Sequence, residues 1–369
     1  MIERSAVLFL THNWTSVHTL RFQRLRRQTA GIADCYVLYQ SATDEAPDAA
    51  RRVSEGAIHV FQPSELPNRL GYAYLTPAGI VPGCTHYPLI DFFKCHSYRH
   101  YWLIEGDVEF SGDWATLLHA GSASEAGLLG SHVRCHRDSL DFVWWDSLSA
   151  PFPQSLKMPW RPGKLRRAFL PVFRISSDAI RLIDRLHSRG CTGHHEVLLP
   201  TAIFNAGLDV VDLSALNTQK PFYRGTEQDP VDDVSKQSTH RYRPEITLAE
   251  FVQTFAVDTI YHPVKGEWTF DGTNVVVASA SGLEVLSLDA CRVDCVRVDA
   301  GPAWTVAART SRLRPSQRAG CAASTMQTEA ITERDPARSL RRSTTLYWRI
   351  TASHRYLMRS MLRRTTNQI

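Results

Sequence analysis

No stretch of this 369-residue chain holds 18 consecutive apolar residues, so no segment has the length of a membrane-spanning helix. The eight cysteines are scattered, and none forms a CxxC pair of the zinc-binding kind. There is no GxxxxGK[ST] or GxGxxG loop, which argues against an ATPase and a dinucleotide-dependent oxidoreductase. There is no GxSxG elbow either, which disfavours an α/β hydrolase. No internal repeat is visible. Lysine is missing from residue 307 onward, where thirteen arginines face three acids. The chain as a whole carries only +5, so the body before that tail is mildly acidic. That asymmetry is not the mark of a nucleic-acid reader, and no nucleic-acid partner is expected. It suits a tail that meets an anionic surface.

What is present is ordinary for a soluble globular protein: 43% apolar and 21% charged residues. The length exceeds what one core usually organises, so a large domain with appendages is expected. The first apolar run, Ala6 to Leu10, is too short for the core of a signal peptide and reads as a first strand. With no leader expected, free thiols in a reducing cytoplasm are the favoured reading of the cysteines.

Strand and helix patterns alternate through the first half. Strands are expected at Ala6–Leu10, Cys35–Tyr39 and Ala57–Phe61, with an amphipathic helix at Val17–Arg27 and a short helix at Tyr87–Cys95. Residues 63–83 read as a Pro- and Gly-rich loop. Later come strands at Gly127–His132, Phe169–Ile175 and Leu208–Leu213, and helices at Asp113–His119, Ser177–Arg189 and from about Glu196 to Ala206. Leu248–Phe255 reads as a short helix. Such alternation argues a doubly wound, mostly parallel α/β sheet. The expected organisation is a main domain over 1–266, a small β-rich appendage over 267–310, a disordered linker over 311–345 and a basic amphipathic helix over 346–363.

The most informative segment is Tyr101 to Trp114. A buried-looking strand, Tyr101 to Ile104, ends in three acids at alternate positions, Glu105, Asp107 and Glu109. Ligand crevices in open α/β sheets lie beyond the carboxyl ends of the strands. Hard oxygen ligands there suit Mg²⁺ or Mn²⁺ shared with a phosphate-bearing substrate, though a solvated acidic turn would look alike. Spacing permits either Glu105 with Asp107 or Asp107 with Glu109, because alternate residues of an extended strand face one side. Asp107, a short carboxylate on a Gly-containing turn, is the best candidate for direct coordination, and its pairing with Glu105 is preferred.

The order of Glu105-Gly106-Asp107, then Glu196 at a helix start after Gly193-His194-His195, then His262, resembles glycosyltransferases of the GT-A fold. The resemblance covers roughly residues 1–266 and departs at position 105, where Glu stands for the usual first Asp. It implies a Rossmann-like fold and transfer of a sugar from a nucleotide diphosphate to a glycan or glycolipid acceptor, as in polysaccharide biosynthesis. By that resemblance Glu105, Asp107 and His262 would hold Mn²⁺ or Mg²⁺, with Glu105 reaching either the ion or only ribose and water. Lys265 would neutralise phosphate as a point charge. Thr11 and Asn13, at the end of the first strand, would face the nucleotide base or ribose.

Glu196 would act as general base on the acceptor hydroxyl, with inversion at the anomeric carbon. A capping carboxylate without chemistry is the competing account. His194 and His195 lack the i, i+4 spacing of helical zinc sites. Trp144, Trp145 and Trp160 are either core residues or faces on which a sugar stacks. Two rival functions stay open: a metal-dependent phosphoesterase, and a GT-A-like module that binds nucleotide or glycan without turnover. Cytoplasmic location is expected, with peripheral membrane contact through the basic tail.

Overall fold

The structure, a computed structural model, describes residues 5–265 except 77–79, 81–83, 151–159, 161, 226–237, 248–250, 252–255 and 257, and the backbone of five strands between 269 and 307. The expected linker at 311–345, the expected helix at 346–363 and most of the one at 248–255 lie outside the described residues.

Strand β1 (Ser5–Thr11) leads to helix α1 (Ser16–Gln28), β2 (Ala33–Gln40), α2 (Asp48–Ser54) and β3 (Ile58–Phe61). Two short connections, α3 (Leu66–Leu70) and α4 (His86–Cys95), precede β4 (His100–Glu105) and β5 (Glu109–Phe110). Then follow α5 (Trp114–Ser122), β6 (Leu128–Cys135), β7 (Arg166–Ser176), α6 (Ser177–Ser188), α7 (His195–Asn205) and β8 (Val210–Asp212). Seven of these strands form one sheet in the order β3-β2-β1-β4-β7-β6-β8. Only β7 runs against its neighbours; the other pairings in the sheet are parallel. The doubly wound, mostly parallel sheet expected from the alternation is therefore present.

The reversal of β7 has a local cause. Its first residue, Arg166, pairs with the last of β6, Cys135, so the chain re-enters the sheet where it left and must run back. Register against β4 ends at Ile104 opposite Val172, so the first residues of β7 project past the acid-bearing end of β4. They form a wall beside that end of β4.

Period-two alternation along β1 and β4 builds two cores. Ala6, Leu8, Tyr101 and Leu103 face α4, α6 and α7, while Val7, Phe9, Trp102 and Ile104 face α1 and α5. Each of these side chains larger than Ala6, fully withdrawn from water, contributes about 2 kcal/mol of transfer free energy. Both faces are covered, which is why these strands read as continuous apolar runs.

Helix starts follow their capping residues. Asp113 accepts from the Ala115 amide at 3.0 Å, and Ser176 from Ala179 at 3.2 Å. Helix α7 is buried at every position from His195 to Ile203, so it shows no amphipathic stripe. Two short helices were not legible in the sequence. Helix α2 begins after Pro47, and α3 interrupts the region 63–83 expected to be loop throughout. Both are below two turns, too short to show a 3.6-residue period.

Past the main sheet, β9 (Ile246–Thr247) pairs with β11 (Val264–Lys265), and β10 (Ile260–Tyr261) with β5. Strands β12 (Thr269–Phe270), β13 (Asn274–Ser279), β14 (Gly282–Ser287), β15 (Asp294–Asp299) and β16 (Thr305–Ala307) form an antiparallel meander.

Candidate metal and nucleotide site

β4 does not continue straight beyond Glu105. The Gly106 amide donates to the Leu10 carbonyl at 2.8 Å, and Val108 back to Glu105 at 3.0 Å, closing a turn. A Cβ at Gly106 would sit 3.1 Å from both Thr11 Cβ and His18 Cδ2, so the turn is pressed onto the end of β1. Because the chain turns here, the two-residue alternation fails. Glu109 points away from Asp107, and its carboxylate accepts from Arg21 Nε at 2.6 Å with Arg24 at 3.9 Å. The alternative pairing of Asp107 with Glu109 is thereby disfavoured.

β10 brings the histidine. Tyr261 pairs antiparallel with Glu109, and the Val264 amide donates to the Asp107 carbonyl at 2.8 Å. His262, between these anchors, places Nε2 3.5 Å from Glu105 Oε2 and 3.6 Å from Asp107 Oδ1. Ligand atoms of all three residues lie within 4.8 Å of one another, the sole such cluster of His, Cys, Asp or Glu among the described residues.

The donor set fits a hard divalent ion. An octahedral Mg²⁺ with bonds near 2.1 Å has neighbouring ligands about 3.0 Å apart and opposite ones about 4.2 Å apart. The His262 contacts fall between these values. His262 Nδ1 lies 2.8 Å from the Arg241 carbonyl, to which it donates, so in the neutral ring Nε2 keeps the lone pair that faces the acids.

Electrostatics follow the same geometry. Burial pushes the His262 pKa down, but Glu105 and Asp107 overcome it and hold the ring above its ordinary value. Burial pushes Asp107 up, while His262, Lys265 and Arg21 outweigh it and keep the carboxyl below the ordinary range. Arg21, Lys265 and the His262 imidazole thus face a pair of acids, a balance that a divalent ion would shift.

Lys265, half-exposed, forms an ion pair with Asp107 Oδ2. Thr11 is buried, and its hydroxyl donates to the Asn13 carbonyl at 2.7 Å, so it shapes the loop after β1. Asn13 is exposed beside it. Sequence reasoning passed over two residues of α1. His18 accepts from the Thr15 amide through Nδ1 at 3.2 Å and abuts Gly106, with its pKa lowered to about 4 by burial first and by Arg21 next. Arg21 binds the acid turn directly. Nothing in the sequence distinguishes it from the other arginines of that helix.

Glu196 belongs to a second cluster. It occupies the first turn of α7, as expected, and is buried. His194 caps that helix, accepting from the Glu196 amide at 3.4 Å, and its Nδ1 lies 3.8 Å from Glu196 Oε2. Trp144 stacks on the His194 ring at 4.2 Å and 3°. His195 turns the other way, to the Thr85 hydroxyl at 3.0 Å, so the two adjacent rings do not converge on one point. Trp145 is a core residue, its indole donating to the Ser139 carbonyl at 2.7 Å, and Trp160 packs partly buried against the core. The two clusters share a backing strand. The Arg166 amide of β7 donates to Thr201 Oγ1 of α7 at 3.0 Å, and Phe169 of β7 lies 5.3 Å from the His262 ring.

No protein-family description matches this chain, and no curated protein matches it. Solved structures do. Glucosyl-3-phosphoglycerate synthase from Mycobacterium tuberculosis, in complex with Mg²⁺ and UDP, aligns at 14% identity over 57% of this chain and 69% of that one, with a TM-score of 0.31. A protein from Desulfovibrio desulfuricans G20, provisionally described as a nucleotide-diphospho-sugar transferase, aligns at 12% identity over 57% of this chain and 80% of that one, with a TM-score of 0.33. Likeness this slight carries no weight in the functional assignment, which rests on the site. No helix among the described residues is long and apolar enough to cross a membrane.

Proposed function

We propose that this protein is a GT-A-like glycosyltransferase that moves a sugar from a nucleoside diphosphate to a hydroxyl acceptor, with inversion. The observation that carries the reading is the convergence of Glu105, Asp107 and His262 at the carboxyl end of β4. A divalent ion there supplies Lewis-acid stabilisation to a departing diphosphate. Asp107 and His262 would be its direct ligands, with Glu105 completing the set. Lys265, on an exposed stem beside Asp107, would neutralise phosphate charge that develops as the sugar leaves. Asn13 would face the nucleoside.

Glu196 would take the acceptor proton. The acceptor oxygen bonds to the anomeric carbon as the bond from that carbon to the phosphate oxygen breaks, and the nucleoside diphosphate departs. A buried carboxylate whose neighbour His194 is held by Trp144 stays oriented for that transfer. A glycan or glycolipid acceptor, a cytoplasmic setting and contact of the basic tail with an anionic membrane belong to the same proposal. Liposome flotation that is unchanged on deleting residues 311–369 would remove the membrane part.

Titration calorimetry with UDP-, GDP- and dTDP-sugars, with and without Mn²⁺, tests the core of it. We expect ion-dependent binding of one donor, lost in Asp107→Asn. Glu196→Gln should retain donor binding and lose transfer. Hydrolysis as fast as transfer would favour the phosphoesterase, and binding with no turnover in any acceptor screen would favour the non-catalytic module.

A further inference from the structure

Arg21 reaches from the middle of α1 into the backbone of the acid turn. Its Nη1 donates to the Gly106 carbonyl at 2.6 Å, its Nη2 to the Val264 carbonyl at 3.2 Å, and its Nε to Glu109 at 2.6 Å. Gly106 lies between the two acids of the site, and Val264 lies between His262 and Lys265. One guanidinium therefore holds both halves of the triad, which come from segments about 155 residues apart. The backbone spans that gap beside the site through the Val264 amide to the Asp107 carbonyl and through the short ladder that pairs Tyr261 with Glu109, but no other described side chain bonds to the backbone of both segments. The planar five-donor fork of arginine suits three acceptors at once, whereas an ammonium cannot match that geometry.

We propose that Arg21 is a positioning residue that sets the separation between the carboxylates and His262, and so the affinity for the divalent ion. This rests on the metal-site reading above. Its Glu109 partner completes the arrangement: the carboxylate that sequence spacing offered as a ligand instead orients and neutralises the clamp.

Electrostatics makes the test sharp, because position and charge predict opposite signs. A fixed cation next to a cation site opposes binding, so removal of Arg21 as a mere nearby charge would tighten Mn²⁺. Removal of Arg21 as a clamp would loosen it, by about tenfold or more, the usual effect of losing an outer-shell partner. Mn²⁺ affinity is read from the free-ion electron paramagnetic resonance signal for the full-length wild type, Arg21→Gln and Arg21→Lys, alongside circular dichroism. We expect weaker binding in both variants, less so in Arg21→Lys, which keeps the charge and one hydrogen bond. Equal or tighter binding in either folded variant overturns the proposal. Arg21→Lys decides it should Arg21→Gln fail to fold. A wild type that takes up no Mn²⁺ instead sinks the metal site itself, a distinct result.

Discussion

Lys265 and His262 grip opposite oxygens of one carboxylate: the ammonium pairs with Asp107 Oδ2 while the imidazole faces Oδ1. Asp107 is thus shared between an exposed ammonium and a buried imidazole. The lysine is the replaceable partner. Lys265→Met should tighten Mn²⁺ alone by up to about fivefold, the range of an exposed ion pair. It should weaken binding of the nucleotide with Mn²⁺. Calorimetry on the two steps separately checks both signs, and an unchanged nucleotide step would remove Lys265 from phosphate contact.

Asp107→Asn keeps the shape of the turn but halves the acid pair. Mn²⁺ binding should fall by roughly a hundredfold, since a hard divalent ion depends on ligand charge. Glu109→Gln should cost far less, because that carboxylate faces Arg21 and not the site. If the two variants bound Mn²⁺ equally poorly, the assignment of ligands at the turn would be wrong.

Arg174 is fully buried in β7 opposite Trp102, and it donates to the carbonyls of Gly121, Ser124 and Ala126. It ties the end of α5 to the sheet. Arg174→Leu would strand two buried acceptors and one part-buried one, at about 3 kcal/mol or more. Urea unfolding should show that loss with Mn²⁺ affinity of the folded protein unaltered.

Acid should destabilise the fold through its buried histidines. Burial lowers the pKa of His187 and His100 to about 4, and holds His86, His195 and His240 well below the ordinary value. These rings are neutral when folded and take a proton when unfolded below pH 6.5. The unfolded chain then binds more protons, so stability is complete above that pH and declines toward pH 4. His187 alone accounts for roughly 3 kcal/mol across that window. His262, raised by its acids, works in the opposite direction but is outnumbered. Unfolding free energies at pH 7.5 and 5.0 check the sign, and equal values would contradict it.

Much of the framework was legible because β1, β4 and β7 bury both faces and so read as long apolar runs, and because Asp113 and Ser176 announce the helices they cap. The acids at 105 and 107 were legible for the same reason: carboxylates placed at the end of such a strand need a partner. The fate of Glu109 was not. Alternation assumes an extended chain, and the turn at Gly106 rotates everything after it. Arg21 was equally hidden, since an amphipathic helix rich in arginine gives no sign of which one faces inward.

Local chemistry alone dictated where strands and helices form, which face of each is apolar, and that acids cluster at one strand end. Those properties depend on near neighbours in the chain, so they can be read in order. Which acid meets His262, and which arginine fastens them, was decided only when the segments around 21, 107 and 262 packed together. Such contacts cross scores of residues, and each is selected by the turn, the strand register and the wall of β7, none of which has a local signature.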